Sequence, residues 1–445
     1  NDNLTLNVGA DLRTYYGEHF RVVENFHGLT SWQENIKLRD QNNNHQHYGS
    51  WGTYKNVITT RDMAANPWSA TFASFDQDEK IAYSNDERIS YAGIFTQLEY
   101  TSDNFSTFFQ GAVSSQSHQR FDHYQYADQT LIDGTSSQAT GPLPNGITDG
   151  VDSEKVDNVG YNAKAGAGWD LGADGKVFVN AGYYSRQPYH DNIYLNYTNQ
   201  VNPLTSNETV IGLEAGYSYS SPNFSTNVNL YRTSWADRVV TSFNVQNDVV
   251  TFTTNEGVEQ LHQGVEWDFK WKPQPDMPYD LKGFVSVGDW VYQGNVVNRV
   301  TDEDQNVIDT FESDVDGGKV GDAAQFTAGL GIDLQLAERL SMDSDIRFYD
   351  NLYADVGAVK ENLKVPSYHV VDMGMSYKMY VGEDGNSLNI RLNINNVMDN
   401  VYINELRTNI AAGDGTGVLY DGIDTANQGY FGMGRTWNVG LRYKF

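Results

Sequence analysis

The sequence predicts an all-β protein, a transmembrane antiparallel β-barrel with about fourteen strands. The first observation is that apolar and polar residues alternate through many short segments, as in strands that turn one face toward lipid. The second is that short and long connections follow each other in turn along the chain. The third is an aromatic content of 13%, with 29 Tyr and 9 Trp, which fits aromatic belts at two membrane interfaces.

The last segment shows this alternation most clearly. Trp437, Val439, Leu441, Tyr443 and Phe445 fall on one face, and Asn438, Gly440, Arg442 and Lys444 fall on the other. Because successive side chains of a strand point to opposite faces, this pattern predicts a strand with one apolar face and one polar face.

Similar segments precede it along the whole chain. In order, they cover 4–12, 92–100, 105–117, 161–169, 177–183, 211–219, 228–230, 265–271, 281–287, 326–334, 342–348, 371–377 and 388–394. With the last segment they give the fourteen predicted strands, an even number as in bacterial single-chain barrels.

The connections between these strands fall into two classes. Short turns are predicted at 102–104, 172–175, 221–223, 272–279, 337–339 and 382–386. Long polar connections are predicted at about 17–87, 119–156, 187–208, 301–322 and 399–433, with an outer hairpin near 246–248. If Phe445 lies on the periplasmic side, all short turns are periplasmic and all long loops are extracellular.

Composition excludes several classes of protein. No run of eighteen apolar residues exists, which excludes transmembrane helices, and the mean hydropathy of −0.56 hides barrel strands because every second residue is polar. Cysteine is absent, so disulfides and thiolate metal sites are excluded. The net charge of −28 argues against nucleic-acid binding. The start at Asn1 shows no signal peptide, so we expect a mature or incomplete sequence.

Two clusters of aromatic and polar residues lie where strands meet long loops. The first contains Tyr184, Arg186, Tyr189, His190, Tyr194 and Tyr197, and the second contains Tyr349, Asn351 and Tyr353. Aromatic rings beside amides above a barrel lumen suit stacking on sugars, peptides or aromatic chelates. We therefore predict these residues as ligand contacts, with a place in the aromatic belts as the alternative.

Other polar groups are weaker candidates. Asp314, Asp316 and Asp322, near Glu303 and Asp304, could bind Ca²⁺, although their spacing does not match an EF-hand and a solvated acidic loop is the alternative. His45, His47 and His118 fall in predicted loops and could contact a metal chelate. Charged residues on the polar strand faces, such as Asp343, Arg347, Asp372 and Arg391, are expected to form cross-strand contacts that brace the wall.

Two motifs near the carboxy-terminus resemble those of a known family. The stretch from Leu392 to Tyr402 contains Asn396-Val397-Met398-Asp399-Asn400-Val401-Tyr402, and Gly434-Arg435-Thr436-Trp437 opens the last strand. Together they resemble the carboxy-terminal barrel of TonB-dependent outer-membrane receptors of the Bacteroidetes type, outside the starch-utilisation (SusC-like) branch.

The resemblance implies more structure than this chain supplies. Such receptors have a plug domain inside about twenty-two strands. Residues 1–445 would then form the carboxy-terminal portion of the barrel, with the plug, the first strands and the TonB-reading motif absent. We expect a fragment, or a subunit that works with a separate amino-terminal half.

The resemblance also implies a function. A receptor of this family would sit in the outer membrane of a Gram-negative bacterium, bind a scarce ligand at its loops and import it with energy from the TonB–ExbB–ExbD complex, with a surface lipoprotein as a further partner. A passive porin closed by these strands alone is the alternative. An enzyme is not favoured, because no Ser/His/Asp spacing stands out. Iron chelate, oligosaccharide, peptide and cobalamin all remain open as ligands.

Overall fold

A computed structural model of the chain describes residues 3–29, 32–36, 38–39, 45–46, 53–57, 68, 72–76, 79–123, 152–194, 199, 201–202, 205–246, 249–273, 277–301, 307–382 and 385–445. Their regular secondary structure is almost entirely β, with one short helix at His190–Ile193. Within these ranges, no helix is long and apolar enough to cross a bilayer.

The strands are numbered along the chain. They are β1 (Leu4–Val22), β2 (Trp32–Ile36), β3 (Leu38–Arg39), β4 (His45–Gln46), β5 (Thr53–Val57), β6 (Lys80–Thr101), β7 (Phe105–Asp122), β8 (Val156–Leu171), β9 (Gly175–Arg186), β10 (Glu208–Ser220), β11 (Phe224–Gln246), β12 (Val249–Trp271), β13 (Tyr279–Gln293), β14 (Asn295–Thr301), β15 (Val307–Asp314), β16 (Phe326–Ala337), β17 (Leu340–Asp350), β18 (Tyr368–Tyr380), β19 (Ser387–Asn395), β20 (Ile403–Leu406), β21 (Leu419–Tyr420), β22 (Ile423–Asp424), β23 (Gly429–Phe431) and β24 (Thr436–Lys444).

One large antiparallel sheet dominates the fold. It contains sixteen strands, and its main path runs β1-β6-β7-β8-β9-β10-β11-β12-β13-β16-β17-β18-β19-β24, while β14 pairs with β12 and β15 pairs with β14. Each strand on the path therefore pairs with the next long strand in the chain, as a meander. The small pairs β2–β5, β3–β4, β20–β23 and β21–β22 lie in the connections.

The predicted short turns are confirmed. Residues 102–104, 172–174, 221–223, 272–278, 338–339 and 381–386 join neighbouring strands at one end of the sheet. The long connections lie at the opposite end, which we call the outer end. The outer hairpin predicted near 246–248 is also confirmed, because β11 ends at Gln246 and β12 begins at Val249.

The predicted apolar face exists as a continuous band. In the paired strands β11, β12 and β13, Leu230, Val265 and Val287 lie directly opposite one another. Their side chains are 51%, 43% and 49% exposed. Monomeric soluble proteins rarely expose a contiguous apolar band that runs across neighbouring strands. We therefore interpret this band as a surface suited to contact with lipid.

The polar face is braced across strands, as predicted. Arg391 of β19 reaches over β18 and forms two hydrogen bonds, of 2.9 and 3.0 Å, with the carboxylate of Asp343 in β17. Gly374 of β18 lies beneath this ion pair, and a Cβ there would come within 2.5 Å of both side chains. A second ion pair joins Arg347 and Asp372.

Three predicted loops overlap strands. The stretch 119–156 begins within β7, which continues to Asp122. The polar stretch 17–87 is strand at both ends, since β1 continues to Val22 and β6 begins at Lys80, and the segment 301–322 contains strand β15, which pairs with β14. In these outer parts, apolar and polar residues no longer alternate regularly, although the backbone pairing with the neighbouring strand continues.

The first and last strands of the path are free edges. Among the described residues, β1 pairs with β6 and β24 pairs with β19, and the two do not pair with each other.

The apolar band gives a test by substitution. We expect Val265→Lys to lower the free energy of unfolding in lipid vesicles by about 2–4 kcal/mol, the cost of a cation at the bilayer midplane on a barrel's lipid face. Urea titration in vesicles measures it. The matched control is Glu266→Lys on the polar face, for which a change below about 0.5 kcal/mol is expected. Equal losses in both variants would contradict this assignment of faces.

Candidate functional site

The connections at the outer end fold around small apolar cores of their own. One core joins segments that are far apart in the chain and is made by Leu352, Ala354, Val365, Ile403, Leu406 and Ile423. A second is made by Val258, Tyr292, Val296, Val315 and Ala358. Because buried side chains from several connections hold each other, the outer end is an ordered rim that can present a fixed set of side chains.

Backbone contacts tighten this rim further. Gly318 and Gly321 lie against the carbonyl oxygens of Val359 and Ala354, and a Cβ at either glycine would come within 2.0 Å of those oxygens. Asp424 is buried and accepts hydrogen bonds from the backbone N–H groups of residues 413, 416, 417 and 426. These bonds hold the pKa of the Asp424 carboxyl well below its usual range.

The two carboxy-terminal motifs contact each other. Asp399 Oδ1 accepts a hydrogen bond of 2.8 Å from the backbone N–H of Arg435. Asn396, almost fully buried, donates through Nδ2 to the carbonyl oxygens of Asn400 and Met433. Both Asn396 and Asp399 have a positive φ, of 49° and 56°, which Asn and Asp tolerate better than most residues. The motifs therefore clamp the base of the connection 399–433.

Three tyrosine rings stack at the outer end of the polar face. The centroids of Tyr349 and Tyr368 are 4.8 Å apart, and those of Tyr368 and Tyr402 are 4.2 Å apart. Gly432 leaves room for this stack, since a Cβ there would come within 2.0 Å of the Tyr402 ring. Burial raises the pKa of Tyr368 to about 12, so its phenol stays protonated and can donate a hydrogen bond.

The second predicted cluster adjoins this stack. Tyr349 is part of the stack itself. Asn351 Oδ1 accepts a hydrogen bond of 2.8 Å from Lys364 Nζ, and the backbone of Tyr353 pairs with that of Lys364. Lys364 also forms a 2.8 Å ion pair with Asp350. Aromatic faces, amides and a paired lysine therefore meet at one place on the rim.

The first predicted cluster is divided between exposed and buried residues. The guanidinium of Arg186 lies 4.0 Å from the ring centroid of Tyr189, which is exposed. Arg186 also forms a 3.2 Å ion pair with Glu208. Tyr184 is half-buried in β9, with its ring beside Gly182. Tyr197 lies outside the described residues.

His190 and Tyr194 point inward. His190 Nδ1 lies 3.2 Å from His118 Nδ1 of β7. The Tyr194 hydroxyl donates to the carbonyl oxygens of His118 and Glu154, at 3.0 and 2.7 Å. These contacts fasten the helical turn onto β7 and the residues after it. A cleft of about 450 Å³ opens beside them, lined in part by His19, Arg120 and Tyr194.

The acidic connection is held by a lysine in its described part. Lys360 Nζ lies 3.1 Å from Asp314 Oδ2 and also donates to the carbonyl oxygen of Asp316. Across the ranges that the structure describes, no three His, Asp or Glu side chains converge as metal ligands. Glu303 and Asp304 lie outside those ranges, so the Ca²⁺ site stays a prediction. His47, predicted as a contact to a metal chelate, also lies outside them.

Comparison with known families identifies the family of this chain. A family model described as "TonB dependent receptor-like, beta-barrel" matches residues 1–397. The chain belongs to this family. No curated protein matches the sequence.

Several solved structures have a fold similar to that of this TonB-dependent receptor barrel. The siderophore receptor PiuA from Acinetobacter baumannii is 13% identical with a TM-score of 0.57, and the match covers 99% of this chain and 52% of that one. The ferric yersiniabactin uptake receptor FyuA from Yersinia pestis is 14% identical, with a TM-score of 0.53 and coverage of 82% and 47%. The copper transporter OprC is 14% identical, with a TM-score of 0.52 and coverage of 81% and 48%.

Each of these matches concerns only part of the solved structure. The chain spans about half the length of the solved structures that it matches. At 13–14% identity the likeness concerns the fold alone. The predicted TonB-dependent receptor family is confirmed, and it is a family of outer-membrane proteins rather than of enzymes. The Bacteroidetes-type branch stays a prediction.

The receptor barrel also contains site residues that the sequence did not single out. Tyr368 and Tyr402 complete the tyrosine stack. His118, which the sequence does predict as a loop residue able to contact a metal chelate, instead lies buried in β7 beside His190. Tyr402 could be found from the sequence, because it is the last residue of the first of the two motifs. The others are brought together only by pairing of distant strands.

The clamp between the two motifs gives a second test. We expect Asn396→Ala to speed amide hydrogen exchange in residues 400–433 by about 10–100-fold, because it removes hydrogen bonds to buried backbone groups whose loss costs about 1–3 kcal/mol. Asn404→Ala, at an exposed position of the same connection, is the control. Unchanged exchange in Asn396→Ala would show that the motif does not hold the connection in place.

Proposed function

We propose that this chain forms the wall of an outer-membrane receptor that captures a scarce ligand at its outer rim and imports it by TonB-coupled active transport. The observation that carries the proposal is the ordered rim, in which two apolar cores and the motif clamp hold the tyrosine stack. A passive pore needs no such surface. Family membership supports the same function.

Barrel closure belongs to this proposal. Backbone N–H and C=O groups in hydrocarbon must be paired, so the free edges of β1 and β24 need partners. We propose that further strands, in an amino-terminal half of the receptor, complete a ring of about twenty-two strands around a plug. The TonB–ExbB–ExbD complex would act through that plug. The long connections would then be extracellular and the apolar band would face lipid.

The rim residues suit a ligand with flat faces and hydrogen-bonding edges. We propose Tyr349, Tyr368 and Tyr402 as the stacking surface, with Asn351 and Tyr353 beside it. Tyr189, whose ring is exposed and backed by Arg186, offers a second aromatic face. Ferric chelate, cobalamin, oligosaccharide and peptide each present such groups, and the ligand class stays open. A Bacteroidetes source and a surface lipoprotein partner also stay predictions.

Uptake by cells that produce the receptor tests the function. We expect saturable uptake of one probe from a panel of a ferric chelate, cobalamin, a maltooligosaccharide and a short peptide, and loss of that uptake when the proton-motive force is collapsed. Tyr368→Ala should weaken binding of that probe about tenfold, because Tyr368 is the middle ring of the stack and its loss removes two aromatic contacts, of about 0.5–1.5 kcal/mol each, that hold Tyr349 and Tyr402 in place. Tyr420→Ala, which removes an exposed tyrosine outside the stack, is the matched control.

Two results would contradict the proposal. Uptake that persists without the proton-motive force would favour the alternative of a passive porin. So would steady ion conductance of the purified receptor in planar bilayers, because a plugged barrel stays shut.

A further inference from the structure

An apolar hollow of about 640 Å³ lies on the outside of the sheet, across strands β7 to β11. Its floor is formed by the small side chains of Ala165, Ala181 and Ala215, with Leu213 and Leu230 standing beside them. These five residues lie on the face of the apolar band, because residues that lie opposite one another on neighbouring strands share a face. The hollow is therefore a recess in the surface that is suited to lipid.

One end of this hollow carries a positive charge. Arg232 of β11 lines the hollow, lies directly opposite Leu213 and follows Leu230 by two residues on the same face. Its side chain is exposed, and it has no hydrogen bond, ion pair or ring contact with any of the described residues. The guanidinium is therefore free to bind a group from outside the chain.

Arg232 lies at the outer edge of the apolar band. On β11, β12 and β13 the band gives way to a polar row, which consists of Arg232, Gln263 and Asp289. Arg232 lies eight residues beyond Phe224, the first residue of β11, and a spanning strand takes about 9–11 residues. Asp289 forms a 2.6 Å ion pair with Lys319 and so does not neutralise Arg232. The free guanidinium is therefore at the level where hydrocarbon meets lipid headgroups.

The hollow descends from this level toward the other side of the bilayer. Its opposite end is lined by Thr107, only two residues beyond Phe105, the first residue of β7. Both β7 and β11 begin at the short turns, so Thr107 lies deeper in the bilayer than Arg232. A recess that starts at a cation and continues into hydrocarbon matches an amphiphile with an anionic headgroup and an alkyl chain.

The chemistry of Arg232 selects the headgroup. A guanidinium can donate two parallel hydrogen bonds to a phosphate, which makes arginine a strong phosphate ligand. Tyr183, two residues beyond Ala181 on the same face, stacks on Tyr161 with ring centroids 6.0 Å apart. Tyrosines are enriched at membrane interfaces because a hydroxyl at one end of the ring reaches polar groups. Charge complementarity therefore favours a phosphorylated lipid in this hollow.

We propose that the hollow and Arg232 form a binding site for a membrane lipid with an exposed anionic phosphate. Arg232 binds the phosphate, and a hydrocarbon chain of the lipid lies over Ala165, Ala181 and Ala215. The inference rests on the membrane-spanning barrel of the proposed function, and it is independent of the imported ligand and of energy coupling.

Fluorescence quenching of the complete receptor in lipid vesicles tests the site. This chain has no cysteine, so Ile211→Cys provides one position in it for a bimane label. Ile211 is 46% exposed, follows the same face and lies beside the hollow, two residues before Leu213. The vesicles are phosphatidylcholine with a small fraction of acyl-brominated lipid, either phosphatidic acid or phosphatidylcholine. We expect phosphatidic acid to quench about fivefold more efficiently, the preference that one arginine gives at an anionic lipid surface.

Two variants separate the headgroup contact from the recess. Arg232→Gln should abolish the preference for phosphatidic acid, because the phosphate loses its cation. Ala181→Phe keeps Arg232 but fills the recess, and should abolish the preference as well.

The matched control variant is Arg88→Gln. Arg88 of β6 is another exposed arginine on this face, beside the rings of Tyr16 and Phe121, and its loss should leave the preference at residue 211 unchanged. A label at Leu330→Cys, on the apolar face of β16 and away from the hollow, should be quenched equally by both lipids.

Three results would overturn the lipid site in a receptor that enters the vesicles. They are equal quenching of the label at residue 211 by the two lipids, a preference that survives Arg232→Gln or Ala181→Phe, and weak quenching by both lipids, which would mean that protein covers the hollow. Failure of the receptor to enter vesicles would instead contradict the membrane-spanning barrel itself.

Discussion

The structure depends on one constraint, the pairing of backbone hydrogen-bonding groups where water is absent. A strand that crosses hydrocarbon cannot leave its N–H and C=O groups free, so each strand needs a neighbour on both sides. The meander of fourteen strands meets this need for every strand on its path except β1 and β24. Once the backbone pairing of neighbouring strands is fixed, successive side chains point to opposite faces of the sheet. Each strand then has a polar face and an apolar face suited to lipid, and Leu230, Val265 and Val287 lie on the apolar face.

The same backbone pairing continues beyond the bilayer and supports the ordered rim. Strands β11 and β12 have 23 residues each, about twice what a bilayer needs. Their outer halves support the core around Val258, and the motif residues Asn396 and Asp399 fasten the last connection to the beginning of β24. The rim is therefore continuous with the wall, which is why it can hold the tyrosine stack in a fixed geometry.

Much of the wall could be predicted from the sequence, because its two signals are local. Alternation identified the strands, and turn residues such as Gly172 and Pro222 identified the short connections. The signal was lost where strands leave the bilayer, and so the outer parts of β1, β6 and β15 were taken for loop. Apolar and polar residues do not alternate regularly there, and only the pairing with a neighbour makes these segments strands.

The candidate site was less accessible to sequence reasoning. Tyr184, Arg186, Tyr189 and His190 were noticed because they are close together in the chain, yet His190 meets His118, 72 residues away. The stack formed by Tyr349, Tyr368 and Tyr402 likewise joins two strands and a connection. Such contacts follow from strand register, which no local pattern encodes.

The division of each strand into a lipid face and a water face is the central claim, and spin-label accessibility tests it most directly. Nitroxide labels placed one at a time at residues 92–100 of β6, in the receptor reconstituted in lipid, are exposed to oxygen, which concentrates in lipid, and to a water-soluble nickel chelate. Oxygen accessibility should peak at positions 92, 94, 96, 98 and 100, and chelate accessibility should peak at the positions between them. Accessibility that does not alternate with period two would contradict the claim.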